Sequence, residues 1–226
     1  MSDANLQSDL CVPAEINLYY DLFIPSDSSQ LAPLIIAVHG YGAHKQYMMR
    51  EARLVAPEDF VIASVQAPHQ HFRKTETGLR PGFGWVTDYR PDESIALHHN
   101  FLLQIVERFT DGGVIDPDRI FLYGFSQSCA LNFRFAFTYP DILKGVIGVA
   151  GGIPGDLDTN EKYGTFTADA LYLYGDCDEF YPFEKFQEFE QKLYNRLPNF
   201  TSKYYSAKHE ITDEMRRDIR DFLGDR

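Results

Sequence analysis

Ile120-Phe121-Leu122-Tyr123-Gly124-Phe125-Ser126-Gln127-Ser128, followed by Cys129 to Tyr139, decides the fold. The four apolar residues read as a short buried strand and the run from Cys129 as a helix. Between them stands a G-x-S-x-small turn. That turn holds its serine in a strained conformation and lifts the hydroxyl above the sheet edge. A side chain on either neighbour would clash, so small flanking residues are a steric requirement. The string alone also arises by chance, and the reading depends on finding its partners.

A serine hydroxyl is a poor nucleophile near neutral pH and needs a base that is itself oriented by an acid. In this arrangement the partners follow in the chain order serine, acid, histidine. His209 is the sole histidine after Ser126. It comes after a strand-like run, Ser202 to Tyr205, and before an amphipathic helix expected from about Thr212 to Leu223. Ala170 to Tyr174 reads as another strand, and Gly175-Asp176-Cys177-Asp178-Glu179-Phe180-Tyr181-Pro182 is the loop leaving it. Asp176 follows Gly175 directly, where a turn residue is expected. Asp178 lies further out, where it can swing toward the histidine. Asp156 and Asp158 are weaker candidates in the polar loop after the Gly145–Ala150 strand. The expected triad is Ser126, Asp178 and His209, all just beyond the carboxyl ends of strands, where open α/β sheets bind ligands.

Acyl transfer also needs donors aimed at a developing oxyanion. Leu34 to Val38 is an unbroken aliphatic strand, and His39-Gly40-Tyr41-Gly42 follows it. Glycines on both sides of Tyr41 free the backbone to turn its N–H into the site. The second expected donor is the N–H of Gln127, at the start of a helix whose dipole favours an anion. His39 precedes the turn and is expected to brace it.

Together, His39-Gly40-x-Gly42, Ile115-Asp116-Pro117-Asp118-Arg119-Ile120 leading to Gly124-Phe125-Ser126-Gln127, Gly175-Asp176-x-Asp178 and His209-Glu210 resemble the phospholipase/carboxylesterase branch of the α/β-hydrolases. That branch includes acyl-protein thioesterases and small bacterial carboxylesterases. The resemblance runs from about Ile16 to Leu223 and is most specific over Asp116 to Gln127. It implies a cofactor-free Ser-His-Asp esterase with Asp178 as the acid. Two positions depart from the pattern. Ser128 stands where glycine is usual, and Ala43-His44 where many members have an acidic or amide residue. His44 is thereby a candidate for contact with substrate.

With 226 residues, 44% hydrophobic and 15% aromatic, the chain can build one substantial core. Strands are expected near 16–24, 34–39, 60–65, 120–124, 145–150, 170–174 and 201–205. Ile95, His98, Leu102, Ile105, Val106 and Phe109 mark one face of a helix. Strand–helix alternation predicts a mostly parallel sheet covered by helices on both faces, and the resemblance implies that it is a single α/β-hydrolase domain over 1–226. Residues 1–14 read as an N-terminal extension. Ile16 to Ile24 reads as an antiparallel edge strand, because Pro25 to Ser29 offers a turn rather than a crossover helix.

Residues 66–91 read as an irregular loop that shapes specificity. The stretch holds His69, His71, Arg73, Lys74, Arg80 and the sole tryptophan. Trp85 is expected either to wall an acyl or alcohol pocket or, with Phe83, to anchor the loop to the core. His69 and His71 lack a matching ligand set, so no metal is expected. Of His98 and His99, one should pack and the other meet solvent. Cys11, Cys129 and Cys177 form an odd, scattered set that reads as reduced thiols in a cytoplasmic protein, the latter two buried. The opening Met1 to Asn5 lacks the basic residue and apolar core of a signal peptide. No apolar stretch approaches the roughly 20 residues of a membrane span. The formal net charge of −12 argues against nucleic acid and anionic membrane surfaces as general partners. A homodimer is compatible with the sequence.

The function these residues predict is hydrolysis of a small-molecule carboxylic ester through an acyl-enzyme. Thioester hydrolysis, including that of an S-acylated protein, would use the same residues. A binding module that keeps a hydrolase pocket would bind ligand without turning over any ester.

Overall fold

The computed structural model describes residues 6–26 and 31–224. Residues 6–19, which include the described part of the expected extension, run without helix or strand. The turn expected at 25–29 lies partly outside the described residues. In chain order the elements are β1 (Tyr20–Phe23), β2 (Ala32–Val38), α1 (Lys45–Val55), β3 (Val61–Val65), β4 (His69–Thr75), β5 (Gly78–Gly84) and α2 (Pro91–Asp111). They continue with β6 (Ile115–Phe125), α3 (Gln127–Thr138), β7 (Gly145–Val149), β8 (Asp169–Gly175), α4 (Phe183–Arg196), β9 (Phe200–Tyr205) and α5 (Asp213–Gly224).

Seven strands form one sheet in the order β1-β3-β2-β6-β7-β8-β9. Only β1 is antiparallel to its neighbour, pairing Tyr20 with Val65 and Phe23 with Ile62. The other pairings are parallel, as crossover helices require. The expected edge strand is thus present but shorter than 16–24, and β6 begins at Ile115, five residues before the expected Ile120.

Side chains alternate across the sheet with the period-two rule of strands. Leu34, Ile36, Val38, Ile120, Leu122, Val146, Tyr172 and Tyr174 face one core, which α2, α3 and α4 cover. Ile35, Ala37, Phe121, Tyr123, Ile147, Leu171 and Leu173 face the other, which α1 and α5 cover. Strands buried on both faces read as continuous apolar runs, which is why their positions were visible in the sequence. Among the described residues no helix is long and apolar enough to cross a membrane.

Three expectations need correction. Residues 66–91 are not irregular throughout, since β4 and β5 form an antiparallel hairpin with His69 opposite Gly84 and Thr75 opposite Gly78, and outside the hairpin only 66–68 and 85–90 run without helix or strand. His98 and His99 are both buried, because α2 is covered on two sides. Trp85 meets His98 edge-on at 5.0 Å, and Phe135 and Tyr139 close over His99 at 5.4 and 5.8 Å. Cys177 is exposed, as is Cys11, and only Cys129 is a buried thiol. Burial pushes Cys129 up to about 12, so this thiol is inert.

The buried histidines make stability depend on pH. Desolvation lowers His39 and His99 from the usual 6.5 to about 4. Between those values the unfolded chain binds protons that the folded chain refuses. Their stabilising contribution is therefore complete above pH 6.5 and lost as pH falls toward 4, by about 3 kcal/mol each. That sum approaches the whole stability of an ordinary domain. Urea unfolding at pH 7.5 and at pH 4.5 should show a loss of several kcal/mol; equal midpoints would contradict it.

Candidate active site

Ser126 closes β6 and opens α3 at φ 58° and ψ −120°. A positive φ is costly for any residue with a Cβ, and here the surroundings hold it. The Ser126 N–H donates to the Val149 carbonyl at 2.9 Å, tying the elbow to β7. The small neighbours have specific reasons. A Cβ on Gly124 would stand 2.5 Å from Asn132 Nδ2 and 2.9 Å from Ser128 Oγ. Ser128, at the position where glycine is usual, spends its hydroxyl on the elbow. Its Oγ donates to the Val38 carbonyl at 2.8 Å and accepts the Phe125 N–H at 2.9 Å. The residue thus fastens the turn to β2.

Gly151, after β7, is packed against the elbow from below. A Cβ there would overlap the Ser126 carbonyl oxygen and stand 2.6 Å from Cys129 Sγ. Gly151→Ala should destabilise the protein by about 3 kcal/mol through this overpacking, read as a lowered urea midpoint. An unchanged midpoint would mean that the elbow yields freely.

The residues expected as a triad come together. His209 Nε2 lies 2.8 Å from Ser126 Oγ, and His209 Nδ1 lies 2.7 Å from Asp178 Oδ2. With a carboxylate at Nδ1, the ring carries its proton there and turns the Nε2 lone pair to the hydroxyl. Asp178 Oδ1 accepts the N–H groups of Phe180 and Tyr181 at 2.8 and 3.1 Å. The Asp178 side chain is fully buried and that of His209 is 13% exposed. Asp176 plays a different part, its N–H closing the strand end onto the Tyr205 carbonyl at 2.9 Å. Asp156 is engaged elsewhere, by Arg134 at 2.7 Å, Asn160 at 2.9 Å and Tyr163 at 2.9 Å. Asp158 lies 3.9 Å from Lys192.

The Tyr41 loop abuts the elbow. A Cβ on Gly40 would come within 3.0 Å of Ser126 Cβ, and Gly42 adopts φ +75°. The first demands close approach and the second a left-handed backbone, which explains both glycines. Gln127 is the first residue of α3, so its N–H has no acceptor within the helix. Its side chain accepts from Trp85 N at 2.9 Å and donates to the Val86 carbonyl at 2.9 Å, locking the helix start. His39 braces the loop: Nδ1 donates to the Gly40 carbonyl at 2.8 Å and Nε2 accepts from Ala67 N at 3.0 Å.

Trp85 does not wall a pocket. It is 1% exposed, and its Nε1 donates to the His39 carbonyl at 2.8 Å. A ring with its edge polar group satisfied inside the core has no face left for substrate, and it anchors the hairpin. His44 caps α1, its Nδ1 accepting from Tyr47 N at 3.3 Å. His69 bonds Ser94 Oγ at 3.0 Å and His71 stacks on Tyr41, ring centroids 4.7 Å apart. Among the described residues no cluster suited to a metal ion occurs.

Three neighbours of His209 escaped the sequence reading. Glu179 Oε2 accepts the His209 backbone N–H at 3.0 Å, and the rings of Phe125 and Phe180 flank the imidazole at 5.0 and 4.6 Å. Glu179 and Phe180 lie in the same loop as Asp178, which was the available signal. Beside Gln127 a groove of about 460 Å³ runs between α3 and the loops after β5 and β7. Val86, Ile95, Leu131 and Ile153 line it, with Asp88 and Arg134 also in its wall. A larger hollow of about 890 Å³ lies between residues 14–20 and α2 and contains none of the residues above.

A hydroxyl bonded to an oriented imidazole, beside the N–H groups at the start of a helix, is equipped for acyl transfer, the chemistry of α/β-hydrolases of the esterase and thioesterase type. Residues 20–225 match the phospholipase/carboxylesterase family, and the chain belongs to that family. It is 30% identical to NocK of Nocardia uniformis subsp. tsuyamanensis over 155 residues, 67% of this chain and 42% of NocK, so it spans less than half of that protein. It is 25% identical to acyl-protein thioesterase 1 of Saccharomyces cerevisiae over 198 residues, 81% of this chain and 85% of that one. Its fold is that of the Bacillus cereus carboxylesterase, with a TM-score of 0.71 at 16% identity over 92% of this chain and 94% of that one.

Proposed function

We propose that the chain hydrolyses carboxylic esters through an acyl-enzyme on Ser126. The observation that carries this reading is the unbroken Ser126–His209–Asp178 chain of hydrogen bonds at 2.8 and 2.7 Å. His209 Nε2 takes the Ser126 proton as Oγ attacks the ester carbonyl, then gives it to the leaving alkoxide oxygen. Water, deprotonated by the same nitrogen, attacks the acyl-serine and releases the acid. Asp178 holds the tautomer and stabilises the imidazolium. The N–H groups of Tyr41 and Gln127 take the oxyanion of each tetrahedral intermediate. The groove beside Gln127 offers room for an acyl or alcohol group of moderate size.

A second reading, thioester hydrolysis, is favoured by the similarity to a yeast acyl-protein thioesterase along most of that protein's length. Both use one machinery, so matched oxo- and thioesters of the same acyl group separate them. The expected result is measurable kcat/KM on 4-nitrophenyl esters from acetate to octanoate, exceeding that on the matched thioesters. No turnover of any ester or thioester by folded protein would overturn the proposal.

A further inference from the structure

The β4–β5 hairpin carries a charge pattern that its own stability does not explain. Residues 69–84 hold Arg73, Lys74 and Arg80 against the single acid Glu76, in a chain of net charge −12. Arg73 and Arg80 are directly opposite each other in the register. Cross-strand partners project from the same face with Cβ atoms about 5 Å apart, and like charges so placed are destabilising. An acid nearby would relieve the pair. Among the described residues neither guanidinium has a hydrogen bond or an ion pair. A local rule broken without compensation in the fold marks a functional position.

The face in question is the one turned to the candidate site. By the register it presents His69, His71, Arg73 and Thr75 of β4, with Gly84, Gly82, Arg80 and Gly78 of β5 directly opposite them. His71 stacks on Tyr41, and the Gly42 N–H donates to the Phe83 carbonyl at 2.8 Å. A Cβ on Gly42 would lie 3.8 Å from Arg73 Cδ, so the arginine stem passes over the backbone next to Tyr41. The guanidinium carbon is two bonds beyond that point. Three glycines leave the face shallow, and the two forks can converge on one anion from outside the oxyanion loop.

The geometry points to Arg73 and Arg80 as a binding site for a carboxylate or phosphate carried by the ester substrate. The inference rests on the proposed ester hydrolysis and adds its substrate class: anionic rather than neutral esters. Arginine suits this task, since its planar fork pairs with both oxygens of a carboxylate or phosphate. An unpaired cation pair on an otherwise acidic protein also concentrates anions at the rim it occupies.

The test compares 4-nitrophenyl hemisuccinate with 4-nitrophenyl butyrate, in the wild type and in Arg73→Gln, Arg80→Gln and the double variant. Wild type should prefer the hemisuccinate. The double variant should lower the ratio of the two kcat/KM values about tenfold, mainly through KM, the scale of one lost charge-assisted contact. Raising ionic strength from about 0.05 to 0.5 M should erode the preference, because the site is open to solvent. A ratio unchanged by the double variant would overturn the inference. So would loss of binding to phosphatidylserine vesicles with the ester ratio unmoved, which would assign the arginines to lipid headgroups. Calorimetric titration with succinate keeps the two readings apart. Succinate binding lost in the double variant, with no ester hydrolysed by wild type, would sustain the anion site and refute the esterase. Ester turnover without succinate binding or hemisuccinate preference would do the reverse.

Discussion

Ser126→Ala should lower kcat on a carboxylic ester by at least about 10⁴-fold while the protein stays folded. The magnitude follows from removing the atom that forms the acyl bond. What remains is the catalysis that oriented donors and binding supply on their own, and in triad hydrolases that residue of activity is small. The fold should survive because the Ser126 hydroxyl contributes one hydrogen bond, to His209, whereas the elbow is held by backbone and by Ser128. The strained φ of 58° persists in alanine, so the turn gains no relief. Steady-state kinetics with a urea denaturation on the same sample check both halves. Activity within tenfold of wild type would remove Ser126 from the chemistry.

Asp178→Asn should cost about 10⁴-fold in kcat with little change in KM, and the reason lies in two N–H groups. Asp178 Oδ1 accepts from Phe180 N and Tyr181 N, contacts that only an oxygen can make. In asparagine the carbonyl oxygen must keep that place, which turns the amide NH₂ toward His209 Nδ1. The imidazole then has to accept at Nδ1 and carry its proton on Nε2, facing Ser126. A base already protonated on the reacting side cannot take the serine proton. Asp176→Asn, at a residue whose N–H caps a strand end, should leave kcat within a few-fold. If the two variants exchanged effects, the acid would be Asp176 and the loop would have to rearrange on binding substrate.

How much of this was legible depended on whether the chain advertised it locally. The central strands were visible because burial on both faces leaves an aliphatic run such as Leu34 to Val38. The hairpin was not. His69 to Thr75 is polar but for the exposed Phe72, and its partner strand is rich in glycine and proline, so neither periodicity nor propensity marks it. Its one signal was the short Glu76-Thr77 connection before Gly78, at φ +109°. Trp85 was ambiguous for a similar reason. Its burial depends on a carbonyl at His39, 46 residues away, and no local pattern records such a contact. The choice of Asp178 over Asp176 rested on position and resemblance, and the physical reason appears only in three dimensions, in the paired N–H groups that hold one carboxylate oxygen. Glu179 and the two rings around His209 belong to the same class of information, set by where β8 and β9 end.

The most direct test of an activated serine is the intact mass of the protein after exposure to a fluorophosphonate, with peptide mapping of the adduct. The expected result is one adduct, located on Ser126 and absent from Ser126→Ala. Its rate should fall steeply in Asp178→Asn, because phosphonylation draws on the same base. No adduct on folded wild-type protein, or an adduct that persists in Ser126→Ala, would contradict the assignment of Ser126 as the nucleophile.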